Sequence, residues 1–86
     1  MKKFECTVQE STGLHARPAG LLVKAAKALD STITLENAAG KSAAATKLMA
    51  VMGLGIKQGD TVTVTVEGGD EEASATVMEK FFSENL

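Results

Sequence analysis

Thr61-Val62-Thr63-Val64-Thr65-Val66-Glu67 alternates without a break. Successive side chains of a β-strand point to opposite faces, so three valines fall on one side and three threonines on the other. Such a strand belongs to a sheet that is covered on one face and meets water on the other, the usual condition of antiparallel sheets. Lys57-Gln58-Gly59-Asp60 forms a turn before it, and Gly68-Gly69 ends it. Phe4, Cys6 and Val8 alternate with Lys3, Glu5, Thr7 and Gln9, which predicts a strand with Cys6 in the core. Ile33 and Leu35 alternate with Thr32, Thr34 and Glu36. Asn37-Ala38-Ala39-Gly40 then supplies a hairpin-like turn into a short antiparallel strand over Lys41 to Ala44.

Three helices accompany these strands, two between them and one after the last. Ala19, Leu22, Val23, Ala26 and Leu29 recur at three and four, with Lys24 and Lys27 elsewhere on the surface. Thr46 to Leu54 reads as a short second helix on which Leu48, Met49, Val51 and Met52 crowd more apolar surface than one buried face requires. Val51 is assigned to the core, and part of the rest should be exposed. Gly53 and Gly55 end this helix. Asp70 caps the last one, Glu71 and Glu72 favour its dipole, and Ala73, Val77, Met78 and Phe81 form its expected inner stripe. The order βαββαβα predicts an α+β fold, an open-faced two-layer sandwich with a four-stranded antiparallel sheet and three helices on one face. With no repeat, linker or low-complexity stretch, residues 1–86 read as a single domain.

Composition excludes several classes of function. A chain of 86 residues buries only about 60–65% of its unfolded surface, which leaves room for one modest core. The net charge of −2, three phenylalanines and no tryptophan or tyrosine give neither a basic stripe nor a stacking platform, so nucleic acid is not an expected partner. Cys6 is the sole cysteine, and Lys2-Lys3-Phe4-Glu5 turns acidic before any apolar run typical of a signal peptide, so a cytoplasmic location is expected. No apolar run approaches the ~20 residues that cross a bilayer, so membrane insertion is not expected. One histidine and one cysteine cannot supply a zinc site. No phosphate-cradling Gly-x-x-x-x-Gly-Lys-Ser/Thr run exists, and Gly53-Leu54-Gly55 lacks the third glycine of a dinucleotide fingerprint. Ser11 lies across Gly13 from His15 with no candidate oxyanion pocket, a poor hydrolase triad. Neither a metal nor a cofactor is expected.

The remaining chemistry concentrates in Gly13-Leu14-His15-Ala16-Arg17-Pro18-Ala19, which holds the only histidine, arginine and proline of the chain. Pro18 suits the first helical turn, where its missing N–H has no intrahelical acceptor, so His15 stands at a helix entrance after the turn-prone Gln9-Glu10-Ser11-Thr12-Gly13. A lone histidine at such a place is more often a solvated or capping side chain. Its neighbours favour more. Free backbone N–H groups, the positive end of the helix dipole and a guanidinium fork converge where an imidazole nitrogen offers a lone pair, an arrangement suited to carrying phosphate.

From Phe4 to the last helix, the chain resembles the HPr family, the histidine-containing phosphocarriers of the bacterial phosphoenolpyruvate-dependent sugar phosphotransferase system. Gly13-Leu14-His15-Ala16-Arg17-Pro18-Ala19 is similar to the family's phosphorylation-site motif, and Met49-Ala50-Val51-Met52-Gly53-Leu54-Gly55-Ile56 to its second-helix motif. The resemblance implies the open-faced sandwich. It also implies that His15 accepts a phosphoryl group from phosphorylated enzyme I and passes it to enzyme IIA domains of sugar permeases, as a carrier rather than an enzyme. Nδ1 is the implied phosphorylated atom; the sequence does not choose between the ring nitrogens. A helix start disfavours a cation by about 0.3–1 kcal/mol, which suits an uncharged, nucleophilic imidazole. After transfer, the backbone of Ala16 and Arg17 and the Arg17 guanidinium would stabilise the phosphoryl oxygens.

A carrier must dock two unrelated partners on one surface. Gly20, Lys24, Lys27, Leu48, Met49 and Met52 are the expected contact residues, the lysines steering acidic rims and the methionines adapting to different partners. For Leu48 and Met52 core packing is the competing reading, and the resemblance favours partner contact. One position departs from the family, whose second helix usually begins with a serine that a regulatory kinase modifies in some bacteria. Lys47 occupies that place with Thr46 beside it, so either Thr46 serves instead or the control is lost, and loss is the preferred reading. The alternatives are an HPr-like regulatory module of carbon or nitrogen metabolism, which binds a transcription factor or enzyme without onward transfer, and an unrelated anion-binding domain. A monomer suits a small shuttle.

Overall fold

The alternating segment becomes β4 (Thr61–Glu67), an inner strand of the sheet, in a computed structural model that describes residues Met1–Leu86. β1 (Lys2–Thr7) pairs with it on one side and β2 (Thr32–Glu36) on the other, and β3 (Ser42–Ala44) extends β2 at the far edge. The order is β1-β4-β2-β3, with every pair antiparallel. Register carries the alternation across the sheet: Phe4 lies opposite Val64, Val64 opposite Leu35, and Leu35 opposite Ala43. Val62, Val64, Val66 and Leu35 are fully buried in this inner face. One row over, Glu5, Thr63, Glu36 and Ser42 line up on the polar face, as do Lys3, Thr65, Thr34 and Ala44. The sheet is thus open on its threonine side, as the sequence predicts, because every other residue across four strands is polar or small.

α1 (Ala16–Lys27) buries Pro18, Ala19, Leu22 and Ala26 and ends with Lys24 and Lys27 in its last turn, where cations oppose the negative end of the dipole. α2 (Leu48–Met52) is shorter than the expected Thr46–Leu54. Its N-cap Lys47 is extended, and past Gly53 the Leu54 and Gly55 amides donate to Val51 and Met52, tight turns that draw the chain out of α geometry. Val51 is its one buried residue.

α3 (Glu71–Asn85) is capped by Asp70, whose carboxylate accepts from the Ala73 amide at 3.2 Å. Its inner face matches the expected Ala73-Val77-Met78-Phe81 stripe only at Met78 and, in part, Phe81. Ser74, Ala75, Met78 and Phe82 are buried, Ala73 and Val77 are exposed, and Phe81 is half-buried with its ring edge-on to Phe82. The helix is rotated because a polar residue can face inward when its hydroxyl is satisfied. Ser31 Oγ lies 2.6 Å from the Gly68 carbonyl and 2.8 Å from Ser74 Oγ. With one proton on each hydroxyl, Ser31 can donate to Gly68 while accepting from Ser74. Cys6 also departs from expectation, packing against the core but only half-buried, because β1 is an edge strand with no strand beyond it. Burial, and secondarily the Glu79 carboxylate, push its thiol pKa up. No helix is long and apolar enough to cross a membrane.

Candidate functional site

The loop that delivers the histidine is tied down immediately before it. Gly13 adopts a positive φ of 69° and its amide donates to the Glu10 carbonyl, while the Leu14 amide donates to Ile56 at 3.0 Å and the Leu14 side chain is buried. His15 follows as the N-cap of α1, with extended backbone (φ −92°, ψ −171°) and a carbonyl that accepts the Ala19 amide at 2.9 Å. Its side chain makes no capping bond and is exposed. The helix interior cannot satisfy the Ala16 and Arg17 amides, which have no acceptor within the chain, and Pro18 contributes no N–H. Two free donors therefore flank the imidazole at the positive end of a helix of 12 residues.

Arg17 is exposed and forms no ion pair, since the two salt bridges join the Met1 ammonium to Glu71 and Lys2 to Glu72. His15, Arg17 and Pro18 line an open depression of about 340 Å³ together with Glu10, Glu84 and Asn85. A larger concavity of about 650 Å³ between β1 and α3 is lined by no histidine, cysteine or arginine, so its size does not make it the chemical centre. No group of three or more His, Cys, Asp or Glu side chains is placed to hold a metal ion.

The depression gathers His15 and Arg17 but not the other expected contact residues. Gly20, half-buried, lies farther along α1 with open space where a Cβ would stand, and Lys24 and Lys27 are exposed near its end. On α2, which packs against α1, Leu48 and Met49 are 40% and 77% exposed, too open for core residues, and Met52 is half-buried. Thr46 is half-buried and Lys47 exposed, outside the first turn of α2. Two further residues bear on this region, one lining the depression and one bracing the segment behind α2. Leu21 lines the depression while 46% exposed, next to a helical apolar stripe that masked its outward direction. Asn37 reaches from the hairpin to the loop that leaves α2, for which the Asn-x-x-Gly turn was the only local signal.

Comparison with known proteins places this geometry. Residues 2–84 match the family model described as the PTS HPr component phosphorylation site. The chain belongs to the HPr family. Its fold superimposes on HPr of Thermoanaerobacter tengcongensis with a TM-score of 0.92 at 35% identity, covering 99% of this chain and 94% of that one. For the phosphocarrier protein HPr of Bacillus anthracis the values are 0.85 and 32%, with 99% and 96% covered. Crh, the Bacillus subtilis catabolite repression protein solved as a domain-swapped dimer, matches with a TM-score of 0.76 and 32% identity over 100% of this chain and 98% of that one. HPr proteins are phosphocarriers rather than catalysts, and the same sandwich of four antiparallel strands and three helices also serves the regulatory relative.

Proposed function

We propose that this HPr protein carries phosphoryl groups in the sugar phosphotransferase system, with His15 accepting from phosphorylated enzyme I and donating to enzyme IIA domains. The observation that carries this reading is the exposed imidazole at the α1 N-cap beside the unpaired Ala16 and Arg17 amides and the unpaired guanidinium. An uncharged ring nitrogen, Nδ1 by family resemblance, directs its lone pair at phosphorus. The N–P bond forms as the bond to the donor breaks, and charge spreads over the phosphoryl oxygens. Those oxygens meet donors already in position, so little reorganisation is required at the moment of transfer. Each charge-assisted hydrogen bond contributes about 1.5–3 kcal/mol, enough to favour arrival and small enough to permit departure.

Docking uses Leu48, Met49 and Met52 with Leu21 and Gly20, an apolar and adaptable surface, while Lys24 and Lys27 attract acidic partner rims. The chain acts as one monomeric, cytoplasmic unit over residues 1–86. Lys47 in place of the family's serine supports the absence of kinase control, and stoichiometric modification of Thr46 by such a kinase with ATP would contradict that. The likeness to Crh supports a second reading, a regulatory module that binds a transcription factor or enzyme without onward transfer. Chasing the phosphorylated protein with several enzyme IIA domains separates the two. Loss of label to at least one enzyme IIA is the expected result, and retention against all of them favours the regulatory reading.

A further inference from the structure

We propose that Gly13 is a positioning residue for phosphoryl transfer, its missing side chain allowing the His15 loop to close onto the backbone of Ile56 and Lys57. The inference rests on the reading of His15 as the phosphoryl acceptor. A Cβ at Gly13 would stand 2.6 Å from the Ile56 carbonyl oxygen and 2.8 Å from Lys57 Cα. Both are backbone atoms, so no change of rotamer relieves the clash. The φ of 69° adds its own cost for any other L-residue.

The next residue uses the same carbonyl, since the Leu14 amide donates to Ile56 at 3.0 Å. Two successive residues are thus fitted to one peptide, and on the far side of His15 the helix begins with the Ala19-to-His15 bond at 2.9 Å. His15 is the single link between a loop clasped to Ile56 and a helix anchored by buried Pro18, Ala19 and Leu22.

The other side of the clasp resists movement. Asn37 holds the Leu54 carbonyl at 2.9 Å, and the Lys57 amide donates to Asp60 at 2.9 Å. A side chain at position 13 therefore forces the backbone that carries His15 away from that of Ile56 and Lys57. The imidazole then shifts relative to the Ala16 and Arg17 amides, while the apolar surface of α2 keeps its place. Misplacing a reacting group by about 1 Å can cost about a hundredfold in rate.

Gly40 provides a matched control, with a φ of 88° but no atom within 4 Å of the point a Cβ would occupy, so Gly40→Ala adds backbone strain without the clash. Phosphotransfer from phosphoenolpyruvate through enzyme I is measured for the full chain, Gly13→Ala and Gly40→Ala. Gly13→Ala should lower the saturated transfer rate by about tenfold or more while KM for this protein changes by less than about twofold. Gly40→Ala should change both by less than about twofold. A Gly13→Ala rate equal to that of Gly40→Ala, or a loss confined to KM, overturns the proposal. Hydrogen exchange on the unmodified protein gives an independent reading should Gly13→Ala fold poorly. The Leu14 amide should be protected to the level of the β4 amides, and exchange as fast as in an open loop refutes the clasp. Absence of phosphorylation in the unmodified chain would instead remove the reading of His15, leaving the exchange result intact.

Discussion

The Asn37 side-chain amide donates to the Leu54 carbonyl at 2.9 Å, tying the tip of the β2–β3 hairpin to the segment that leaves α2. Its other side-chain atom, Oδ1, accepts from the Ala39 and Lys41 amides at 3.0 and 2.9 Å, so one residue both shapes the hairpin and reaches across to the site's support. Two residues beyond Leu54, the Ile56 carbonyl receives the Leu14 amide. Asn37→Ala removes all three side-chain bonds and should cost about 1–3 kcal/mol in urea unfolding. A loss below about 0.5 kcal/mol in Asn37→Ala would show that the tie carries little weight.

The rotation of α3 has a direct energetic signature. Phe82 is 4% exposed and Val77 is 41% exposed. Phe82→Ala should therefore cost about 3–5 kcal/mol through lost burial and the cavity left behind. Val77→Ala, at the surface, should stay within about 0.5 kcal/mol. Chemical unfolding of both variants checks the register, and comparable losses would contradict it.

Acid should reveal Glu71. Its carboxylate faces the Met1 ammonium at 2.6 Å and accepts from the Gly68 amide at 2.7 Å, and these partners hold its pKa below the ordinary carboxylate value. A depressed folded-state pKa stabilises the protein above the unfolded pKa, and the contribution is lost as pH falls through the folded value. Glu71→Gln should lower Tm at neutral pH, and its difference from the unmodified protein should shrink to nothing in acid. An equal difference at both extremes would contradict the assignment.

Steering by Lys24 and Lys27 depends on screening, because both side chains are exposed. Reversing both charges should slow phosphotransfer more at low salt than near 1 M, where the Debye length falls to about 3 Å. Stopped-flow transfer across a salt series is the measurement, and equal slowing throughout would refute steering.

Local pattern made much of the sandwich legible. The Val-Thr alternation of β4, the Asn37–Gly40 turn and the three-four spacing of α1 each report structure through neighbours in sequence. What stayed hidden depends on distant partners. Ala73 and Val77 imitate inner positions, and only the Ser31–Ser74 contact across 43 residues explains why the helix turns a serine inward instead. The placement of β4 between β1 and β2, which leaves Cys6 on an edge, is likewise a long-range choice. At the site, His15 and Arg17 stand out in sequence because each is unique and both precede Pro18 within one motif. Gly13 belongs to the same motif, but its close backbone approach to Ile56 leaves no trace in the sequence, and neither does the outward turn of Leu21 beside a buried stripe.

The most direct measurement is labelling with radioactive phosphoenolpyruvate and enzyme I, followed by mapping of the modified residue. The unmodified protein should acquire one acid-labile, base-stable phosphate on His15, and His15→Ala should acquire none. Label on another residue, persistence of label in His15→Ala, or no labelling by an active enzyme I would contradict the account.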